Sequence, residues 1–185
     1  MKVKGTSILA TRDFVKETFS GKYDDWLKSL PTESKKLYEG DVRVGDWFEI
    51  KPAYYDPMEK IVELFYDFNA QKAGEEMGQF SAKKALTGIY KVFLIVATPQ
   101  FLVRRASIMV ETFYVPSEVE AVQTASKTAV MKIKKFDGIT KVLEYRFAGW
   151  CVKALELCNC KNVTYAITSH ISSGQPSTDI KYQWD

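Results

Sequence analysis

The stretch Ser169-His-Ile-Ser-Ser-Gly-Gln-Pro-Ser-Thr-Asp-Ile180 decides how this chain folds. Gly174 and Pro176 among serines mark a tight connection. The runs beside it alternate in polarity: Val163, Tyr165 and Ile167 come before it, and Ile180, Tyr182 and Trp184 after it. Successive side chains of a strand point to opposite faces, so a period of two predicts a hairpin with one buried face. Upstream, Ala129, Met131 and Ile133 alternate with Thr128, Lys132 and Lys134, and Val119 to Thr124 makes a less regular partner. Between the two pairs, Leu143, Phe147, Trp150, Ala154 and Cys158 recur at helical spacing within Ile139 to Cys158. Residues 116–185 are therefore expected to form a β-β-α-β-β module whose helix covers one face of an antiparallel sheet.

Residues 1–115 read as mainly helical. Phe14, Val15 and Phe19 supply the apolar face of a helix that ends near Gly21, and Trp26, Leu27 and Leu30 that of a short one closed by Pro31. Thr32 is expected to cap a third helix through Leu37 and Tyr38. The two glycines and the proline of residues 40–52 predict an irregular or briefly extended connector. Asp56-Pro57 is expected to cap and open a helix carrying Ile61, Leu64, Phe65 and Phe68. Asn69 to Leu86 carries Ala70, Ala73, Gly74 and Gly78, small enough for close packing against a neighbour. Gly88 to Ala97 and Pro99 to Tyr114 follow as apolar helices, the second with Leu102, Ala106, Met109 and Phe113 in one stripe. The fold class expected is α+β, a helical amino-terminal two-thirds packed on the carboxy-terminal sheet module, within a single domain of residues 1–185.

Length and composition support one core: 185 residues with 46% hydrophobic content are enough for one packed domain and too few for two comfortable ones. A net charge of only +3 leaves no basic footprint for nucleic acid. No run approaches the roughly 18 apolar residues that a membrane span needs, and no secretory signal follows Met1. A cytoplasmic location is expected. Cys151, Cys158 and Cys160 are an odd number, which fits reduced thiols better than a disulfide framework.

Gly149-Trp150 on the long helix, and Gly174-Gln-Pro176 followed by Ile180-Lys-Tyr-Gln-Trp184, resemble the fold shared by 4-vinyl-reductase domains, haem nitric-oxide/oxygen-binding (H-NOX) domains and TRAPP trafficking subunits. Leu86 to Arg105 also looks like a bacterial family, frequent in myxobacteria, with no assigned function. Many 4-vinyl-reductase domains place a cysteine four residues before the hairpin glycine and another four after it, a pair suited to a metal. Here those positions hold His170 and Thr178, so no metal site is expected. The H-NOX resemblance would imply a proximal histidine on a helix and a Tyr-x-Ser-x-Arg motif for the haem propionates. The only histidine, His170, lies in the hairpin region, and the motif is absent. The expectation is therefore no cofactor, haem included.

Nucleophilic catalysis needs a base beside the nucleophile, and His170 has only sequence neighbours, Ser169, Ser172 and Ser173, to suggest one. The aromatic set Trp47, Phe48, Tyr54, Tyr55, Phe65 and Tyr66 reads as core or as pocket lining. Cys151 and Cys158 share a helix face as small apolar groups. Arg104 and Arg105 could offer a guanidinium fork to an acidic group. The residues expected to touch a ligand are Tyr54, Arg104, Arg105, Trp150 and His170. The expected role is that of a non-enzymatic sensory or adaptor domain with an apolar pocket between helices and sheet, binding an unidentified small apolar ligand. The runner-up is a homodimeric interaction or scaffold module, and the third alternative a haem-based gas sensor.

Overall fold

The computed structural model describes residues 1–87 and 98–185, apart from the side chains of residues 100, 103, 106, 123 and 124. The helix expected over Gly88 to Ala97 lies outside the described residues. The chain begins with strand β1 (Lys2–Lys4) and helices α1 (Gly5–Thr18), α2 (Tyr23–Ser29) and α3 (Thr32–Glu39). Strand β2 (Trp47–Glu49) and a π-helical turn, Lys51–Tyr55, run directly into α4 (Asp56–Phe65), followed by α5 (Ala70–Thr87). Helix α6 (Pro99–Phe113) leads into β3 (Tyr114–Val115), β4 (Ser117–Ala125) and β5 (Thr128–Phe136). Helix α7 (Lys141–Leu157), β6 (Thr164–Ser169), a 3-10 turn (Ile171–Ser173) and β7 (Thr178–Gln183) complete the chain.

The carboxy-terminal strands form an antiparallel sheet in the order β4-β5-β7-β6. Register explains the alternation: Ala129 pairs with Tyr182 and Met131 with Ile180, which gathers the buried residues of both central strands on one face. That face packs beneath α7. Tyr165 and Ile167 follow the same period, yet they are only half-buried because β6 is an edge strand. A second, three-stranded sheet joins β1 to β2 and β3, so the connector around Trp47 is briefly extended, as its glycines and proline suggested.

Helices α5 and α7 meet backbone to backbone, and the small residues of α5 are the reason. A Cβ built on Gly74 would lie 2.5 Å from the Val142 carbonyl oxygen, and one on Gly78 2.2 Å from that of Arg146. From the other side, a Cβ on Gly149 would lie 2.4 Å from the Glu75 carbonyl oxygen. Around this seam Phe14, Trp26, Tyr54, Met58, Ile61, Met77 and Leu143 are fully buried. Each such apolar side chain contributes about 1.5–3 kcal/mol relative to exposure.

Three local expectations are corrected. Thr32 is the first residue of α3 rather than its cap, and Pro31 stands at the N-cap position. Asp56 does not cap α4 because the π-helical turn feeds straight into it, and its carboxylate accepts instead from Lys51 Nζ at 2.6 Å. Phe68 lies beyond α4 in the left-handed region, with φ 62°, and is exposed rather than part of the helical stripe. At α5 the capping oxygen is Asn69 Oδ1, which accepts from the Lys72 amide at 3.0 Å. At α6 it is Thr98, whose hydroxyl accepts from the Phe101 amide at 3.2 Å.

Candidate ligand-binding site

A cavity of about 530 Å³ lies between α1, α5, α6, α7 and the inner face of β5. Its apolar walls come from Leu9 and Ala10 of α1, Ala85 of α5, Met109, Val110 and Phe113 of α6, Met131 of β5, and Phe147, Trp150 and Cys151 of α7. Helical spacing places these residues: Met109 and Phe113 lie one turn apart, as do Phe147 and Cys151, so each helix turns one stripe to the cavity. At the rim Lys84 and Asp13 form an ion pair, and Lys84 also reaches Glu17 at 2.9 Å.

One end of the cavity is polar. Tyr54 and Tyr114 share a hydrogen bond of 2.9 Å between hydroxyls, and Ser7 Oγ donates to Tyr114 at 3.4 Å. The Thr11 hydroxyl donates to the Ser7 carbonyl at 3.0 Å and accepts from Arg146 Nη1 at 2.9 Å. Arg146 lies over the Tyr54 ring, 4.9 Å from its centroid, so these contacts close into a circuit. Burial pushes the Tyr54 phenol well above its ordinary value, with the Arg146 charge acting against that rise. Burial also pushes the Cys151 thiol up to about 12, so Cys151 stands in the cavity wall as a protonated, apolar group.

Of the five residues expected at a ligand site, the fold brings Tyr54 and Trp150 to this cavity. Arg104 and Arg105 are exposed on α6 and do not line it. Of the aromatic set, Phe65 and Tyr66 instead border a smaller cleft beside Phe19. His170 lies apart from the cavity, with Nδ1 2.6 Å from a Glu144 carboxylate oxygen. Glu144 is fully buried and also accepts from the Ser172 amide, the Ser172 hydroxyl and the Thr178 hydroxyl. His170 and Thr178 thus converge on one carboxylate and anchor the hairpin to α7. Ser172 Oγ donates to that carboxylate at 2.6 Å rather than to the imidazole.

Glu144 and Arg146 were both missed at the level of sequence. A signal was present: they are the only charged residues between Lys141 and Lys153, inside an otherwise apolar run. Charged groups in such a position are buried only with partners or for a purpose. Among the described residues no group of three or more His, Cys, Asp or Glu is placed to hold a metal ion. Among the described residues no disulfide joins Cys151, Cys158 and Cys160. No helix among the described residues is long and apolar enough to cross a membrane.

No protein-family model matches the chain, and no curated protein does. Solved structures do match. An H-NOX protein from S. oneidensis in the Fe(II)NO ligation state superposes with a TM-score of 0.75 at 10% identity, covering 98% of this chain and 99% of that one. The Fe(II) unliganded H-NOX protein from K. algicida gives 0.70 at 10% identity, covering 98% and 96%. The fold is that of the H-NOX proteins. A third structure, described as probing the function of heme distortion in the H-NOX family, gives 0.69 at 13% identity over 98% and 95%. Of the resemblances drawn from the sequence, the one to H-NOX domains is upheld. The expectation of no cofactor, haem included, is overturned by this comparison. It rested on the missing motif and misplaced histidine, whereas the H-NOX fold itself extends over nearly the whole chain and these neighbours are described by their iron state and their heme.

Proposed function

We propose that this H-NOX-fold chain is a non-enzymatic, ligand-binding sensory domain that takes a bulky, mostly apolar molecule into the cavity beneath α7, with haem the first candidate. The observation that carries this reading is the cavity itself. Its volume of about 530 Å³ falls within the range of roughly 300–1,000 Å³ typical of small-molecule sites. Its mainly apolar walls, with a few polar groups around Arg146 and at the rim, are also typical of such sites. Fold likeness to H-NOX proteins supports haem as the candidate to test first.

The donor groups at the cavity bear on how a haem would be held. Haem iron is ligated in proteins by imidazole, thiolate, thioether or phenolate. The only histidine of the sequence is engaged with Glu144 outside the cavity, and the Cys151 thiol is held protonated, so an imidazole- or thiolate-held haem does not fit this lining. The phenols of Tyr54 and Tyr114 and the thioethers of Met109 and Met131 do line it. A haem bound here would supply an iron centre able to take a diatomic gas.

The test is titration of the purified chain with haem, followed in the Soret region. Saturable 1:1 binding with a band distinct from that of free haem, altered in Tyr114→Phe or Met109→Leu, is the expected result. An unchanged haem spectrum throughout, together with native mass spectrometry that finds no apolar molecule retained by the fresh protein, would overturn the reading.

A further inference from the structure

Among the described residues, Arg146 is a buried cation that no anion answers. Its side chain sits on α7 with only 4% of the residue exposed, and it borders the polar end of the cavity. Both of its hydrogen bonds leave from Nη1, to Thr11 Oγ1 at 2.9 Å and to Met77 Sδ at 3.7 Å, and both acceptors are uncharged. Its remaining support is the Tyr54 ring. The nearby carboxylates are committed elsewhere: Asp13 and Glu17 to Lys84, and Glu144 to the hairpin. Among the described residues no Asp or Glu lies within ion-pair distance of Arg146.

A guanidinium taken out of water without a counterion is costly to the fold, and proteins rarely tolerate it unless something pairs with it. The hydroxyls of Ser7, Tyr54 and Tyr114 gather at the same end of the cavity; Ser7 and one of the two phenols donate within the set, which leaves one phenolic O–H to donate to an oxygen that the guanidinium draws in. Apart from the hydroxyls of Thr6 and Ser81 and the Lys84–Asp13 pair at the rim, the remaining lining is apolar. We propose that the ligand of this cavity carries a carboxylate on an apolar body, and that Arg146 receives that carboxylate at the hydroxyl-lined end. The inference rests on the ligand-binding reading above and adds the chemistry of the ligand's head group. A planar carboxylate matches the guanidinium fork. Two sources supply this chemistry, a long-chain fatty acid and the propionate of a haem.

The full chain is titrated with two pairs of probes, dodecanoate against dodecan-1-ol and haem against haem dimethyl ester, and tryptophan fluorescence is followed because Trp150 lines the cavity. In at least one pair the free acid is expected to bind about 100-fold more tightly than its uncharged partner. Arg146→Met is expected to abolish that preference while leaving the affinity for the uncharged partner in place. Preference confined to dodecanoate identifies a fatty acid as the source, and preference confined to haem identifies a propionate. Equal binding within both pairs in the unmodified chain overturns the inference and leaves the cavity reading standing, whereas no binding by any probe overturns both. Without ligand, Arg146→Met should melt at an unchanged or higher temperature, because the uncompensated charge burdens the empty fold. A sharp loss of Tm with the acid preference intact would show a structural clamp and sink the proposal. Arg146→Lys, which keeps the charge and loses the fork, should retain an intermediate preference and provides the reading if the methionine variant does not fold.

Discussion

Glu144 and His170 stand 2.6 Å apart, carboxylate oxygen to Nδ1, and join the first turn of α7 to the hairpin before β7. The contact couples the imidazole to a fully buried carboxyl group. With both oxygens occupied by groups of His170, Ser172 and Thr178, this single buried side chain terminates the hydrogen bonds of an entire turn.

Glu144→Ala should therefore destabilise the fold by about 3 kcal/mol, since it strands several buried donors at once. Glu144→Gln keeps the volume and one acceptor oxygen and should cost about 1–2 kcal/mol. Urea unfolding of the two variants measures both. Equal stability of Glu144→Ala and the unmodified chain would show that the anchor contributes nothing.

Gly78→Ala puts a methyl group 2.2 Å from the Arg146 carbonyl oxygen and 2.7 Å from the Trp150 amide nitrogen, both backbone atoms. About 3 kcal/mol of destabilisation, or failure to accumulate folded protein, is expected. Gly45→Ala meets nothing within 4 Å and should stay within about 0.5 kcal/mol of the original. Thermal melts of the pair compare the seam with an open site.

Alkaline pH should unfold this protein early. Burial raises Cys151 from 9.0 to about 12 and pushes Tyr54 and Tyr38 upward as well. Above pH 9 the unfolded chain releases the Cys151 proton while the folded chain keeps it. Stability contributed by this thiol is thus complete below pH 9 and is lost as pH rises from 9 towards 12. Cys151 alone sets a slope of about 1.4 kcal/mol per pH unit in that window. Unfolding curves recorded across the window should flatten in Cys151→Ala if the thiol is responsible.

Tyr114→Phe removes the hydroxyl that joins Ser7 to Tyr54 and leaves Tyr54 without this partner in a buried position. A loss of about 1–2 kcal/mol is expected by urea unfolding. Affinity for a ligand that reaches the polar end of the cavity should fall in the same variant, read by the fluorescence titration.

Much of the architecture was legible because it rests on period. The alternations through Met131 and Ile180 and the spacing through Phe147 and Cys151 reflect burial on one face, which is a local property of sequence. The small residues of α5 announced a close neighbour, and α7 supplies it. The cavity was less legible. Tyr54 and Trp150 could be named as aromatic, but Tyr114, Thr11 and Ser7 join the site only through contacts between residues as far as 135 positions apart, which no local pattern encodes. Arg104 and Arg105 drew notice as a pair, while the buried arginine is the lone Arg146. The π-helical turn at Lys51–Tyr55 was hidden because Pro52 signals a break in ordinary helix, yet here it opens a continuous helical segment.

The glycine seam between α5 and α7 makes the surfaces around the cavity unequal in stiffness. Where two backbones touch there is no side-chain layer to compress or re-pack, so that wall resists indentation. The facing surfaces on α1 and α6 are built from longer, adjustable side chains such as Leu9 and Met109. A molecule entering the cavity would displace those two sides according to its girth, with the α5–α7 seam as the fixed reference against which that displacement is measured.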